Sequence, residues 1–277
     1  MQNAMTVDVE DYFQVSAFEN IIDRKNWTKL PCRVEQNTDR TLELFAEHNA
    51  RATFFMLGWV AERYPALVHR IVDAGHELAS HGYAHVRVTQ QDPKEFREDV
   101  LRTRKLLEDT ASTSVIGYRA ASYSIGRHNL WAHEVLAEVG YRYSSSIYPI
   151  YHDLYGMPEA PRFAFYTHQD RLLEIPVSTM KLAGRKLPCG GGGYFRLFPY
   201  YWSRWALRRV NHQDGKPCVF YFHPWEIDPQ QPRIPGINLK TRVRHYLNLN
   251  RMQERLACLL RDFQWGRMDQ VFLEQQK

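Results

Sequence analysis

Short apolar runs alternate with longer stretches of helical period along most of the chain. Residues 5–9, 52–57, 76–80, 115–119, 141–147, 172–177 and 218–222 read as strands. Residues 38–48, 59–74, 93–108, 129–139, 199–210 and 252–263 read as helices. The run Ala52-Thr53-Phe54-Phe55-Met56-Leu57 is apolar on both faces, the mark of a strand covered on both sides. In the first helix Leu42, Leu44, Phe45 and Ala46 form the apolar side, and Asn37 or Thr38 is a candidate cap. Pro65 restarts the second helix and Gly75 ends it, Pro93 suits a first turn, and Gly140 stops a later helix. Strand-then-helix order repeated about seven times predicts a parallel α/β sheet with helical crossovers, curled into a closed or nearly closed barrel. Two stretches break the period. Residues 148–167 are rich in Tyr, Pro and His. Gly190 to Gly193, followed by Tyr194-Phe195-Arg196, reads either as a close approach to a substrate or as a flexible loop. No Lys-Ser/Thr follows the glycines, so they are not a phosphate loop.

In this architecture chemistry sits at the C-terminal strand ends, and polar residues fall there. Asp8, Glu10 and Asp11 follow the first strand, His81 and His85 the third, Arg119 the fourth and His223 a late one. Two histidines four residues apart reach one divalent ion when the chain turns once between them, and a carboxylate completes a hydrolytic site. Alternation along the strand points Asp8 and Glu10 the same way and Asp11 the other. Glu10 is therefore expected on the metal with Asp8 beside it as general base, and Asp11 is the rival ligand if the chain turns directly after Val9. Arg119 is the candidate cation that keeps Asp8 ionised. His223 is the candidate acid for a departing amine, with Pro224 and Trp225 fixing its surroundings. Each of these histidines and the arginine would, alone, be read as an ordinary core or surface residue; their convergence carries the expectation. Aromatic residues make up 13% of the chain, and Tyr123, Tyr194 and Trp225 are candidates for stacking on a sugar ring.

Composition narrows the partners. The 277 residues are 44% hydrophobic and 24% charged, as in a globular domain, and no apolar run reaches the length of a membrane span. The N-terminus lacks a secretory pattern, and the four scattered cysteines have no Cys-x-x-Cys pair, so a reduced cytoplasmic protein is expected. The net charge of +5 is spread over helical faces such as Arg204, Arg208 and Arg209, and no nucleic-acid module is recognisable. The sequence is compatible with a homo-oligomer and does not fix one.

With these residues assembled, the chain resembles the polysaccharide deacetylases of carbohydrate esterase family four over most of residues 5–225. The resemblance rests on Thr6-Val7-Asp8-Val9-Glu10-Asp11, the pair His81 and His85, Gly117-Tyr118-Arg119-Ala120-Ala121-Ser122-Tyr123, and Tyr221-Phe222-His223-Pro224. It implies a distorted (β/α) barrel and metal-dependent removal of N-acetyl groups from amino sugars. Asp8 takes the place of the base, and Glu10, His81 and His85 those of the ligands to a divalent ion, with zinc the default. Arg119 takes the place of the residue orienting the base, and His223 that of the acid. Val-Asp-Val-Glu-Asp-Tyr-Phe and Gly-Gly-Gly-Tyr-Phe-Arg are similar to the branch found with bacterial exopolysaccharide export. There a single domain, here 1–277, carries a family-specific extension from about 148 to 277. Departures are visible: Val9 separates the two acids, Ala121 stands where the Arg segment usually has a proline, and Ser122 where a tyrosine often lends a backbone donor to the oxyanion, here expected near Tyr123. An allantoinase-like hydrolase of small amides and a catalytically silent glycan-binding barrel are the rival readings.

Overall fold

The computed structural model describes residues 1–152, 155–167 and 171–274. Residues 153 and 154 of the aperiodic stretch lie outside the described residues. The strands are β1 (Gln2–Val9), β2 (Thr53–Met56), β3 (Glu77–Ser80), β4 (Gly117–Tyr118), β5 (Tyr143–Ser144), β6 (Phe165–Thr167), β7 (Leu172–Glu174), β8 (Thr179–Leu182), β9 (Arg185–Pro188), β10 (Val219–Phe222) and β11 (Gln264–Gly266). The helices are α1 (Val34–Glu47), α2 (Gly58–Arg63), α3 (Pro65–Asp73), α4 (Pro93–Ala111), α5 (Trp131–Val139), α6 (Gly192–Leu197), α7 (Tyr200–Arg209), α8 (Leu239–Tyr246), α9 (Leu249–Asp262) and α10 (Met268–Phe272).

The main sheet runs β10-β1-β2-β3-β4-β5-β7-β6, with β11 added to the first residues of β1. Among the described residues the seven strands from β10 to β7 pair in parallel, and β6 pairs antiparallel with β7. Among the described residues the ladder never joins β6 back to β10, so the sheet is curled but open. β2 is buried along its whole length, as expected for a strand covered on both faces. Phe54 and Met56 belong to the large cluster under the helices, whereas Phe55 faces the smaller cluster inside the curl with Ala4, Ala79 and Tyr143. No helix among the described residues is long and apolar enough to cross a membrane. All four cysteines are free.

Departures from the expected elements have physical causes. Helix α1 begins at Val34, earlier than residue 38, because Asp11 accepts the backbone N–H groups of Arg33 and Val34 at 2.5 and 2.9 Å. That cap comes from another strand end, so the local sequence carries no sign of it. The Asp92/Glu95 capping box of α4, by contrast, is local. β4, β5 and β7 are shorter than their apolar runs. The hairpin β8–β9, helices α8 and α10 and strand β11 were not expected. Three of the four glycines in the run are fixed by close packing rather than loose. A Cβ on Gly190 would meet the Val219 carbonyl at 2.3 Å, one on Gly191 the Tyr221 ring at 2.7 Å, and one on Gly192 the Glu226 carboxylate at 2.3 Å. The glycines let the start of α6 press against β10 and the turn that follows it.

Candidate active site

The site forms at the C-terminal ends of β1, β3, β4 and β10, where the parallel strands of such a sheet release their chains. Ligand atoms of Glu10, His81 and His85 lie within 4.8 Å of one another, and all three residues are buried. The turn that carries the histidines is tightly held. Asp99 of α4 accepts Tyr83 N–H, Gly82 adopts φ +72°, and the carbonyls of Gly82 and Tyr83 accept the first N–H groups of α2 at 2.9 Å each. His81 places Nδ1 2.8 Å from the Arg119 carbonyl, which suits donation there and leaves Nε2 for an ion. Burial lowers the pKa of His81 and drives that of His85 well below the usual imidazole range, so both rings are neutral, as ligands must be. Burial raises Glu10 to about 8. Its Oε2 sits 3.1 Å from His85 Nε2 yet has no hydrogen-bond partner. A buried carboxylate oxygen without a donor, facing two neutral imidazoles, fits a divalent cation well. Asp11, the rival ligand, is directed elsewhere: its oxygens cap Tyr12, Arg33 and Val34.

Asp8 stands next to this cluster. Arg119, with no solvent exposure, donates from Nη1 to Asp8 Oδ1 at 2.6 Å and to Thr6 Oγ1 at 2.8 Å. Its Nε and Nη2 are bound by the carbonyl and hydroxyl of Ser145, and its guanidinium lies 4.0 Å over the Phe55 ring. The arginine is thus locked from four sides and presents one face to Asp8, leaving Asp8 Oδ2 towards the site.

His223 Nε2 lies 3.1 Å from Glu10 Oε1 and 3.9 Å from Asp8 Oδ2. Burial opposes its charged form, and the carboxylates of Glu10, Glu226 and Asp8 outweigh that, raising its pKa to about 9. Its Nδ1 bonds Glu226 Oε1 at 2.8 Å. Glu226 was missed in the sequence. Burial works against its carboxylate, but Arg196 and His223 hold it at about 2. Arg196 donates to Glu226 Oε2 at 2.6 Å and to the carbonyls of Arg244, His245 and Leu247. The available signal was the spacing in His223-Pro224-Trp225-Glu226, a capping box with proline at its first turn.

The three stacking candidates fare differently. Trp225 is buried, its indole sandwiched between His223 (5.1 Å, 20°) and His245 (4.2 Å, 12°), so neither face is open to a sugar. Tyr123 is buried against Tyr148 and Tyr221, and its N–H is taken by the Ala120 carbonyl at 3.0 Å rather than free for an oxyanion. Tyr194 alone is half-buried, at the rim of that aromatic cluster.

Residues 26–144 match the family profile described as polysaccharide deacetylase, and residues 145–273 match a domain of unknown function (DUF3473). The chain is 35% identical over 74 residues to a peptidoglycan-N-acetylglucosamine deacetylase of Bacillus cereus, covering 27% of each protein. It is 29% identical over 100 residues to a chitooligosaccharide deacetylase of Bradyrhizobium sp., covering 36% of this chain and 43% of the relative. The matches thus span less than half the length of either relative. A crystal structure from Mycobacterium smegmatis described as a polysaccharide deacetylase superposes with TM-score 0.63 at 21% identity, over 97% of this chain and 87% of the other, which establishes the shared fold. Residues 26–144 are thus similar to polysaccharide deacetylases, and the C-terminal half matches only the second domain.

Proposed function

We propose that the protein is a divalent-metal N-deacetylase acting on an acetamido sugar of a bacterial polysaccharide. The observation that carries this is the buried cluster of Glu10, His81 and His85, with Asp8 and His223 within reach of the same point. Glu10, His81 and His85 would hold a divalent ion, zinc by the donor set, which when bound would polarise the acetamide carbonyl and acidify the attacking water. Asp8, held by Arg119, takes the proton of that water through Oδ2. His223 donates from Nε2 to the departing amine, because its Nδ1 proton is committed to Glu226. The Glu226 carboxylate bonded to Nδ1 favours the charged ring that an acid needs. The relatives' printed names, a peptidoglycan and a chitooligosaccharide deacetylase, support an amino-sugar substrate. A polymeric one, such as an exopolysaccharide, is favoured by a row of aromatic rings running from α6 into α7. Tyr194, Phe198, Trp202 and Trp205 follow one another at centroid distances of 6.5, 5.8 and 5.1 Å, and Phe198 and Trp205 are exposed. Four free thiols support a reducing, cytoplasmic setting.

The test is acetate release from N-acetylglucosamine oligomers by the zinc-loaded protein, with His81→Ala beside it. Release that vanishes in the variant supports the reading. Zinc bound at one equivalent per chain with no release from any acetylated glycan overturns it.

A further inference from the structure

The glycine run and α6 play no part in the chemistry above, yet they reach the partner of the acid. Tyr221, two residues before His223, donates its backbone N–H to the Gly190 carbonyl at 2.8 Å, and Gly191 bridges Tyr221 in parallel. The start of α6 is thereby tied to β10. Gly192 and Arg196 lie four residues apart on α6 and share one face. That face meets Glu226. A Cβ on Gly192 would lie 2.3 Å from Glu226 Oε1 and 2.6 Å from Oε2, whereas one on Gly193 would meet nothing within 4 Å. Only a residue without a side chain lets the helix come so close. From the same face Arg196 Nε donates to Glu226 Oε2 at 2.6 Å.

Neither partner is free to move. Arg196 is 2% exposed and Glu226 1%. The other guanidinium nitrogens are committed to the end of α8: Nη1 to the carbonyls of His245 and Leu247 at 3.0 and 2.7 Å, and Nη2 to that of Arg244 at 3.0 Å. The last turn of a helix leaves such carbonyls unpaired. Glu226 Oε1 in turn accepts the backbone N–H of His223 at 3.1 Å and bonds its Nδ1 at 2.8 Å. A carboxylate held at both oxygens offers the imidazole one orientation. Turning the ring over breaks the Nδ1 bond, and keeping it leaves Nε2 towards Glu10 and Asp8. We propose that α6 is the positioning element of the acid: Gly192 makes room for Glu226, Arg196 anchors it, and the carboxylate so held sets the orientation and tautomer of His223. Residues 145–273, matched only as a domain of unknown function, thereby gain a role in the reaction, because they carry both the acid and the clamp behind it. The proposal rests on the deacetylase reading for the role of His223.

Gly192→Ala and Gly193→Ala form a matched pair, since each adds one methyl group to α6. In the zinc-loaded protein Gly192→Ala should lower kcat for acetate release from the N-acetylglucosamine tetramer about tenfold with KM held, the scale for disturbing the partner behind a functional histidine. Gly193→Ala should change neither. Arg196→Lys, a point charge that cannot serve Glu226 and three carbonyls together, should act in the same direction and carries the test if Gly192→Ala does not fold. In a Glu226→Gln background it should cost nothing further, because the two side chains act in series. A second readout needs neither metal nor turnover. It is solvent exchange of the His223 Nδ1 proton, followed by NMR on metal-free protein with isotope-labelled histidine and assigned by its absence in His223→Gln. Exchange should be slow in wild type and Gly193→Ala, and fast in Gly192→Ala and Arg196→Lys. Equal behaviour of the two alanine variants, or additive losses in the Arg196→Lys and Glu226→Gln pair, would overturn the clamp and leave α6 a packing element. If the wild type releases no acetate, the deacetylase reading fails by itself and proton exchange decides the clamp. Protection lost in Gly192→Ala but kept in Gly193→Ala sustains it, and the same protection in both removes it.

Discussion

Two glutamates, Glu10 and Glu77, are buried at opposite ends of the same sheet, and they face different fates. Glu77 opens β3 at the N-terminal end; burial, reinforced by Asp269, raises its pKa to about 7. Both its oxygens are engaged: Tyr143 OH donates to Oε1 at 2.8 Å, Thr53 Oγ1 to Oε2 at 2.5 Å and Asp269 N–H to Oε2 at 3.2 Å. It pins β2, β3, β5 and α10 together. Glu10, at the C-terminal end, is raised further, to about 8, yet leaves Oε2 without a donor. Desolvation alone does not mark a functional carboxylate, since both residues suffer it. What distinguishes Glu10 is an unmet acceptor among neutral imidazoles.

The widest separation between the two follows from replacing each. Glu10→Gln should lower kcat/KM about 10³-fold, the loss of a metal ligand and with it several kcal/mol of transition-state stabilisation. Its bound zinc should fall in parallel while the thermal midpoint of the metal-free protein holds. Glu77→Ala should do the reverse, keeping zinc and activity within a few-fold and losing about 3 kcal/mol of stability, read by urea unfolding. If both variants lost activity and stability alike, the contrast between the two ends would collapse.

The residues of the site were more legible than their supports. Asp8, Glu10, His81, His85, Arg119 and His223 each end a strand or a turn whose apolar run is plain in the sequence, and alternation along β1 already separates Asp11 from Glu10. The structure brings those six together. What the sequence withheld acts across the chain: Asp11 capping α1, Ser145 bracing Arg119, and Arg196 reaching Glu226 from α6. Trp225 shows the same limit from the other side. An aromatic residue two positions after the proposed acid looks like a sugar platform, but only the fold reveals that two imidazoles cover it.

Glu226 offers the next test, smaller because it acts through His223 rather than on the reacting atoms. Glu226→Gln keeps the shape but removes the charge that helps hold His223 protonated. We expect kcat to fall about 10- to 100-fold, the usual scale for a partner behind a catalytic or ligating histidine. The alkaline limb of the kcat–pH profile should move to lower pH, since a neutral amide supports the charged ring less well. A fall in kcat with an unmoved alkaline limb would leave Glu226 a packing residue and return the acid role to question.

The smallest effect tests the quiet end of the sheet. His76 precedes Glu77 and accepts the Ala52 N–H at Nδ1, 3.1 Å away. Burial, with Arg51 and Arg267 adding to it, lowers its pKa from 6.5 to about 4. The unfolded chain therefore binds a proton at His76 below about pH 6.5 that the fold refuses until about pH 4, and this residue withdraws stability as pH falls through that window. Glu77 has the opposite sign: its raised pKa lets the fold take a proton first, adding stability as pH falls from about 7 towards 4.5. The two neighbours largely cancel in the wild type, so acid stability alone says little about either. His76→Gln retains an acceptor for Ala52 and removes one side of the balance. The stability of this variant relative to wild type should improve by on the order of 2 kcal/mol between pH 7 and pH 4.5. Parallel unfolding curves across that range would show that His76 is charged inside the fold, and that its neutrality is not what the N-terminal end of the sheet is built around.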